Sequence, residues 1–154
     1  MSTLPSSCRS SSTATVRAFR ILGCVVFVLA AQDSPPRSVW EGVYTQDQAG
    51  RGQSLYNKEC ASCHGQSLSG GEEAPPLSGG AFTANWNGLT VGDLFERIRL
   101  SMPEGRPGTL GRQQNADILA YILSGNQFPA GKGELVKETE VLKQIKFEAV
   151  KPAK

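Results

Sequence analysis

The residues best suited to chemistry in this chain are Cys60, Cys63 and His64, which lie in the pentapeptide Cys-Ala-Ser-Cys-His. A C-x-x-C-H pattern is typical of a c-type haem attachment site. The two thiols lie three residues apart on one turn, so both can form thioethers to the vinyl groups of a single haem. His64 follows directly and can ligate the iron from the same turn. This segment therefore predicts one haem c, covalently attached through Cys60 and Cys63.

Other uses of these cysteines explain the sequence less well. Structural zinc normally takes four Cys or His ligands, but His64 is the only histidine, and the remaining cysteines, Cys8 and Cys24, lie in a segment predicted to be removed. A thioredoxin-like dithiol would need a βαβ context, whereas the flanking sequence favours helix and Gly/Pro loop. A simple disulfide between Cys60 and Cys63 leaves the adjacent histidine unexplained. The pattern thus favours haem.

A second iron ligand is predicted at Met102, because a thioether is a common partner of histidine in electron-carrying haem proteins. The chain has two methionines, Met1 and Met102, and only the second would survive removal of a leader. Met102 precedes Pro103 just after a helical pattern, where a stiffened loop can present the sulfur. A methionine that merely fills a gap in the core is the alternative. It is weak here because no other His or Met is available to the iron.

Beyond the pentapeptide, the chain resembles the class I c-type cytochromes over roughly residues 44–125. Gly52 and Tyr56 lie eight and four residues before Cys60, where that family has a small residue and an aromatic one. Further matches are the Pro-x-Leu-x-Gly pattern of Pro75, Leu77 and Gly79, the dipeptide Met102-Pro103, and the helix sequence Asp117-Ile118-Leu119-Ala120-Tyr121. The resemblance implies a small all-α domain wrapped around one covalent haem, with long Gly/Pro loops.

The resemblance also implies roles for residues outside the pentapeptide. The Pro75 carbonyl is expected to accept a hydrogen bond from the distal ring nitrogen of His64 and so fix the ring, and Leu77 is expected to pack on the macrocycle. Trp86 and Asn87 are expected to face a haem propionate, although a simple buried tryptophan explains Trp86 about as well. The predicted cofactor-binding residues are Cys60, Cys63, His64, Met102, Pro75, Leu77 and Trp86; the predicted iron ligands are His64 and Met102.

The function that the resemblance implies is one-electron transfer rather than catalysis, because two filled axial positions leave no open site for oxygen or peroxide. The implied partners are periplasmic redox proteins, with a dehydrogenase as donor and an oxidase or reaction-centre-type protein as acceptor. Residues 86–94 are also similar to single-haem bacterial cytochromes associated with quinoprotein dehydrogenases. A dedicated electron-transfer subunit of such a dehydrogenase complex is therefore the alternative. A peroxidase or a haem-based gas sensor would require an open or labile sixth position.

Residues 1–31 are predicted to be a cleaved signal peptide. Residues 1–20 are rich in Ser and Thr and include arginines, and Ile21–Ala31 is a run of eleven apolar and small residues. This order is typical of an export signal, and the run is shorter than the roughly 20 residues needed to span a bilayer. Periplasmic export without stable membrane insertion is therefore expected. Removing the leader leaves 13 basic and 14 acidic residues, a balance that does not suggest nucleic-acid binding.

The elements that must position the site are helical. Thr45 and Gln48 form a potential capping box for a helix that runs toward Lys58 or Cys60. Gly50 and Gly52 weaken that helix by about 1 kcal/mol each, which predicts the close approach of another helix. The resemblance identifies that partner as the C-terminal helix near Tyr121. Residues 65–90 are predicted to be loop. Thr90 and Asp93 are predicted to open a second helix, and a third helix is predicted over Gly111–Ser124.

The domain boundaries follow from these patterns. Residues 32–125 are predicted to form the monohaem cytochrome c domain, with Trp40 anchoring its lead-in, and residues 126–154 a C-terminal extension. Phe128 is expected to turn the extension back onto the body, and Val141, Leu142 and Ile145 offer a short amphipathic helix. Six lysines make the extension locally basic. On charge alone, a solvated tail is favoured over a docking patch.

Overall fold

The fold is built from helices, as the sequence predicted. The computed structural model describes residues 37–153, so the predicted signal peptide lies outside the described residues. Within that range, no helix is long and apolar enough to cross a membrane. The elements in chain order are β1 (Arg37–Ser38), a 3-10 helix (Val39–Glu41), α1 (Gln46–Glu59), α2 (Ala61–His64), α3 (Gly79–Trp86), α4 (Val91–Ser101), α5 (Arg112–Gly125), α6 (Thr139–Leu142) and β2 (Ile145–Lys146).

Helices α1 and α5 pack closely where Gly52 meets Asp117. A Cβ atom on Gly52 would lie 1.8 Å from the carbonyl oxygen of Asp117. Next to this contact the rings of Tyr56 and Tyr121 lie 5.2 Å apart between centroids. The prediction that the C-terminal helix approaches α1 closely is therefore confirmed at Gly52. The same prediction is wrong at Gly50, because a Cβ atom there would have no neighbour within 4 Å.

Gln48 has a different role from the one predicted. The hydroxyl oxygen of Thr45 accepts a hydrogen bond from the Gln48 backbone N–H at 3.2 Å and so caps α1. The Gln48 side chain, however, is fully buried and donates to Asp117 Oδ1 (3.2 Å) and to the Leu135 carbonyl (2.9 Å). Its Oε1 accepts from the Leu135 N–H at 2.6 Å. Only half of the capping box forms, because this amide joins α1, α5 and the C-terminal extension.

Helix α4 follows its sequence pattern closely. Thr90 and Asp93 form a reciprocal capping box at its start, and the stripe of Leu94, Phe95 and Ile98 is buried. On its other side, Glu96 accepts hydrogen bonds from Arg99 and Thr139. Pairing with Arg99, then with Thr139, lowers the pKa of Glu96 to about 2.

A short helix replaces part of the predicted loop. The sequence predicted irregular structure over residues 65–90, but Gly79–Trp86 forms α3. Its first two residues are glycines, which are poor helix formers and hide the helix from a propensity argument. Packing supplies the stability instead, because Phe82 is buried and its ring lies 6.1 Å from that of Phe147.

The C-terminal extension is part of the core, which corrects the preference for a solvated tail. Leu135, Leu142 and Phe147 are buried, and β2 pairs with β1 in parallel. The indole N–H of Trp40 donates to the Glu148 carbonyl at 2.9 Å, consistent with its expected anchoring role. The five lysines of the extension that the structure describes are exposed, so their charge concealed the widely spaced apolar residues that drive packing.

Candidate haem site

The Cys-x-x-Cys-His segment forms a compact turn between α1 and the loop that follows. The Cys60 N–H donates to the Tyr56 carbonyl at 2.9 Å, and the N–H groups of Cys63 and His64 donate to the Cys60 carbonyl at 3.2 and 3.0 Å. Both thiols are free. This turn therefore brings two thiols and one imidazole together without help from distant parts of the chain.

A cavity of about 620 Å³ lies against this turn. Its volume falls within the roughly 300–1,000 Å³ typical of cofactor and ligand sites. The structure brings all the predicted cofactor-binding residues to its wall: Cys60, Cys63, His64, Pro75, Leu77, Trp86 and Met102. The rest of the wall includes the apolar residues Phe82, Leu94, Ile98, Ile118 and Ile122, which sequence reasoning did not assign to the site.

The donor set fits a haem c. Two thiols can bind vinyl groups, an imidazole and a thioether can ligate iron, and apolar side chains match the faces of a macrocycle. A metal held by protein ligands alone fits less well. Within residues 37–153, no three His, Cys, Asp or Glu side chains cluster closely enough to bind a metal ion.

His64 is oriented by the loop that follows it. The side chain is 8% exposed, and its Nδ1 lies 2.9 Å from the Pro75 carbonyl oxygen. Because a carbonyl can only accept, Nδ1 carries the proton, and the lone pair of Nε2 is left available for a metal. The contact expected from the family resemblance is therefore present.

The Pro75–Leu77 loop is itself held by a residue that sequence reasoning missed. Asn126 caps the end of α5, and its Nδ2 donates to the Leu77 carbonyl at 2.9 Å. Its Oδ1 accepts from the Gly79 N–H at 3.1 Å. An asparagine just after a helical pattern is a recognisable cap signal, although its long-range partners are not readable from the sequence. Asn126 thereby ties α5 to the loop that orients His64.

The Cys60 thiol is kept neutral by its surroundings. Burial, then the nearby negative charge of Glu59 and the neighbouring Cys63, raise the pKa of Cys60 to about 11. At neutral pH this thiol is therefore protonated, because the pKa lies well above 7.

One polar residue differs from expectation. Asn87 was expected to face a haem propionate, but it is not among the residues that line the cavity, and its Oδ1 accepts from the Ala149 N–H of the C-terminal extension at 2.9 Å. Arg106 is exposed and forms an ion pair with Glu59 at 2.6 Å. Trp86 lines the cavity as a half-buried side chain, with its ring 6.3 Å from that of Phe82.

Met102 lies at the C-terminal end of α4, where its N–H donates to the Ile98 carbonyl at 2.9 Å. The helix therefore fixes its backbone, and its half-buried side chain lines the cavity together with Pro103. The residues that follow form an exposed loop back to α5. The end of this helix thus presents the only thioether in residues 37–153 to the cavity.

A helical body that surrounds such a turn and such a cavity defines a class of protein, the c-type cytochromes, which bind haem and transfer electrons. A family model described as cytochrome c oxidase, cbb3-type, subunit III, matches residues 47–122, a range that includes the Cys-x-x-Cys-His turn and Met102. The chain belongs to the class I c-type cytochromes.

Two further comparisons complete these findings. Among solved structures, the chain is similar to the sulfane dehydrogenase SoxCD from Paracoccus pantotrophus, with 23% sequence identity and a TM-score of 0.45. The match covers 70% of this chain and 61% of that chain. A comparison with curated proteins finds no match.

Proposed function

We propose that this protein is an exported one-electron carrier with a single haem c, attached through Cys60 and Cys63 and ligated by His64 and Met102. The observation that carries the proposal is the convergence of these four side chains on one largely apolar cavity. When bound, the haem would supply the reversible one-electron chemistry of its iron. The chain's contribution is to hold, orient and shield that group.

Each residue has a distinct part in this proposal. The two cysteines anchor the cofactor at the end of α1, while the Pro75 carbonyl holds the ring of His64 in the tautomer that leaves Nε2 free. The thioether of Met102 favours the ferrous state and so raises the reduction potential. With His64 and Met102 both holding the iron, oxygen and peroxide would find no vacant position, which supports a carrier rather than an enzyme.

The proposed location is the periplasm, on the strength of the export signal predicted in residues 1–31. The proposed partners are a dehydrogenase as donor and an oxidase or reaction-centre-type protein as acceptor. Leu89 lines the cavity and is 44% exposed, so it offers an apolar contact for a small, transient interface. The extension packs on its own domain, which favours a diffusing carrier over a dehydrogenase subunit anchored by that segment.

The test is to replace Met102 with Leu and compare it with Leu100→Ala, a change at a residue that is 61% exposed near the end of the same helix. Met102→Leu should still assemble with haem, but its potential should fall, its ferric spectrum should lose the weak long-wavelength band of a methionine ligand, and it should bind carbon monoxide. Leu100→Ala should match the wild type. Wild-type protein that binds carbon monoxide freely at neutral pH would contradict the carrier proposal.

A further inference from the structure

The loop after Met102 has few attachments to the rest of the protein. Residues 104–109 are all exposed. Two hydrogen bonds lie within the loop itself, from the Arg106 N–H to the Pro103 carbonyl at 3.0 Å and from the Thr109 hydroxyl to the Arg106 carbonyl at 2.9 Å. Neither bond joins the loop to another element, so neither resists its movement away from the cavity.

One ion pair connects this loop to another element. The Arg106 Nη2 donates to Glu59 Oε2 at 2.6 Å. Among the side-chain hydrogen bonds of residues 37–153, it is the one that joins residues 103–109 to another element. The Glu59 side chain is 10% exposed and that of Arg106 is 57% exposed. The carboxylate lies at the end of α1, where its other oxygen also pairs with Lys58 at 3.4 Å, and the guanidinium is held against it.

The position of the pair relates it to the site. Glu59 is the last residue of α1 and directly precedes Cys60, while Arg106 follows Met102 by four residues. Both side chains line the haem cavity. The pair therefore links the segment that would attach the cofactor to the segment that carries Met102.

We propose that the Glu59–Arg106 pair is a strap that holds the Met102 loop against the cavity and so limits exchange of the sixth ligand; this rests on the proposed ligation by Met102. Displacement of the methionine requires the loop to open locally, and opening separates Arg106 from a carboxylate fixed on α1. Both are positioning residues, since they act through Met102.

The experiment uses the haem-loaded protein and measures the rate at which imidazole displaces Met102 from the ferric form. An ion pair with one exposed partner has modest strength, so Glu59→Gln and Arg106→Gln should each accelerate the reaction about fivefold. The double variant should be no faster than either single variant, because both remove one shared interaction. The swap of Glu59→Arg with Arg106→Glu should restore slow exchange. Glu104→Gln, an exposed change in the same loop, is the control and should match the wild type.

Unchanged rates in both single variants would overturn the strap. An effect of Arg106→Gln without one of Glu59→Gln would also overturn it, and would indicate that the arginine acts on another group such as a propionate. Hydrogen exchange provides a second readout that does not depend on the axial ligand. In both single variants the amide of residue 106, which donates to the Pro103 carbonyl, should be less protected than in wild type while those of α5 stay protected; equal protection of that amide would contradict the strap. If wild-type spectra show no methionine ligation, the proposed function fails on that evidence, and the hydrogen exchange still decides whether the pair holds the loop.

Discussion

Replacing Gly52 with alanine should destabilise the protein far more than the same change at Gly50 in the same helix. At Gly52 the new Cβ atom would lie 1.8 Å from the Asp117 carbonyl oxygen, 2.5 Å from its carbonyl carbon and 3.0 Å from the Tyr121 Cβ. The first two neighbours are backbone atoms of α5, which cannot rotate out of the way. The closest contact would have to lengthen by about 1.2 Å to reach 3.0 Å.

The two substitutions should change the free energy of unfolding in opposite directions. Overpacking of a core costs roughly 1–3 kcal/mol and sometimes more, and a clash between two helix backbones should reach about 3 kcal/mol. At Gly50 no atom lies within 4 Å of the new Cβ atom. Alanine is the better helix former by about 1 kcal/mol, so Gly50→Ala should stabilise by up to that amount. The two variants should therefore differ by roughly 4 kcal/mol in the free energy of unfolding, the sum of those two effects.

The assay is denaturant unfolding of the haem-loaded proteins, followed by circular dichroism and by the haem absorption band. Gly52→Ala should lower the midpoint, and Gly50→Ala should leave it unchanged or raise it. Equal midpoints for the two variants would refute the close packing of α1 on α5 at this residue.

Other expected outcomes concern the core and its charges. Gln48→Leu should cost about 3 kcal/mol in unfolding free energy, because it leaves buried partners of the amide unsatisfied. Gln53→Leu, on the exposed side of α1, should be nearly neutral. A neutral Gln48 variant would contradict the amide network. Phe147→Ala should cost about 3–5 kcal/mol, while Val150→Ala, at a side chain that is 79% exposed, should change little; similar costs at both positions would argue against a buried extension. The pKa of Glu96 falls from 4.5 to about 2 on folding. The contribution of Glu96 to the free energy of unfolding is therefore present above pH 4.5 and is lost as pH falls toward about 2. The stability advantage of wild type over Glu96→Gln should shrink across that range in acid titrations, and a constant difference would contradict the pairing.

The candidate site could be predicted from the sequence because its constraints are local. Cys60, Cys63 and His64 share one turn, and the chain has only one histidine and one methionine outside its first residue. With so few possible iron ligands, the Cys-x-x-Cys-His motif and the number of histidines and methionines were enough to select residues that the structure brings to one cavity.

The parts that could not be predicted depend on contacts between distant segments. Gly79 and Gly80 open a helix that Phe82 stabilises by packing, and no local propensity indicates it. The long-range partners of Gln48 and Asn126 lie in segments far away in sequence. The extension appeared basic and polar, because the five apolar residues that enter the core are scattered among lysines and other polar residues.

The most direct test of the central claim is whether haem remains bound to the polypeptide after denaturation. The purified, exported protein should keep its haem in acid–acetone, and its intact mass should exceed that of the mature chain by one haem. Replacing Cys60 and Cys63 together with Ser should abolish that addition. Haem that is extracted from the wild-type chain, or an intact mass without a haem, would contradict covalent attachment at this turn.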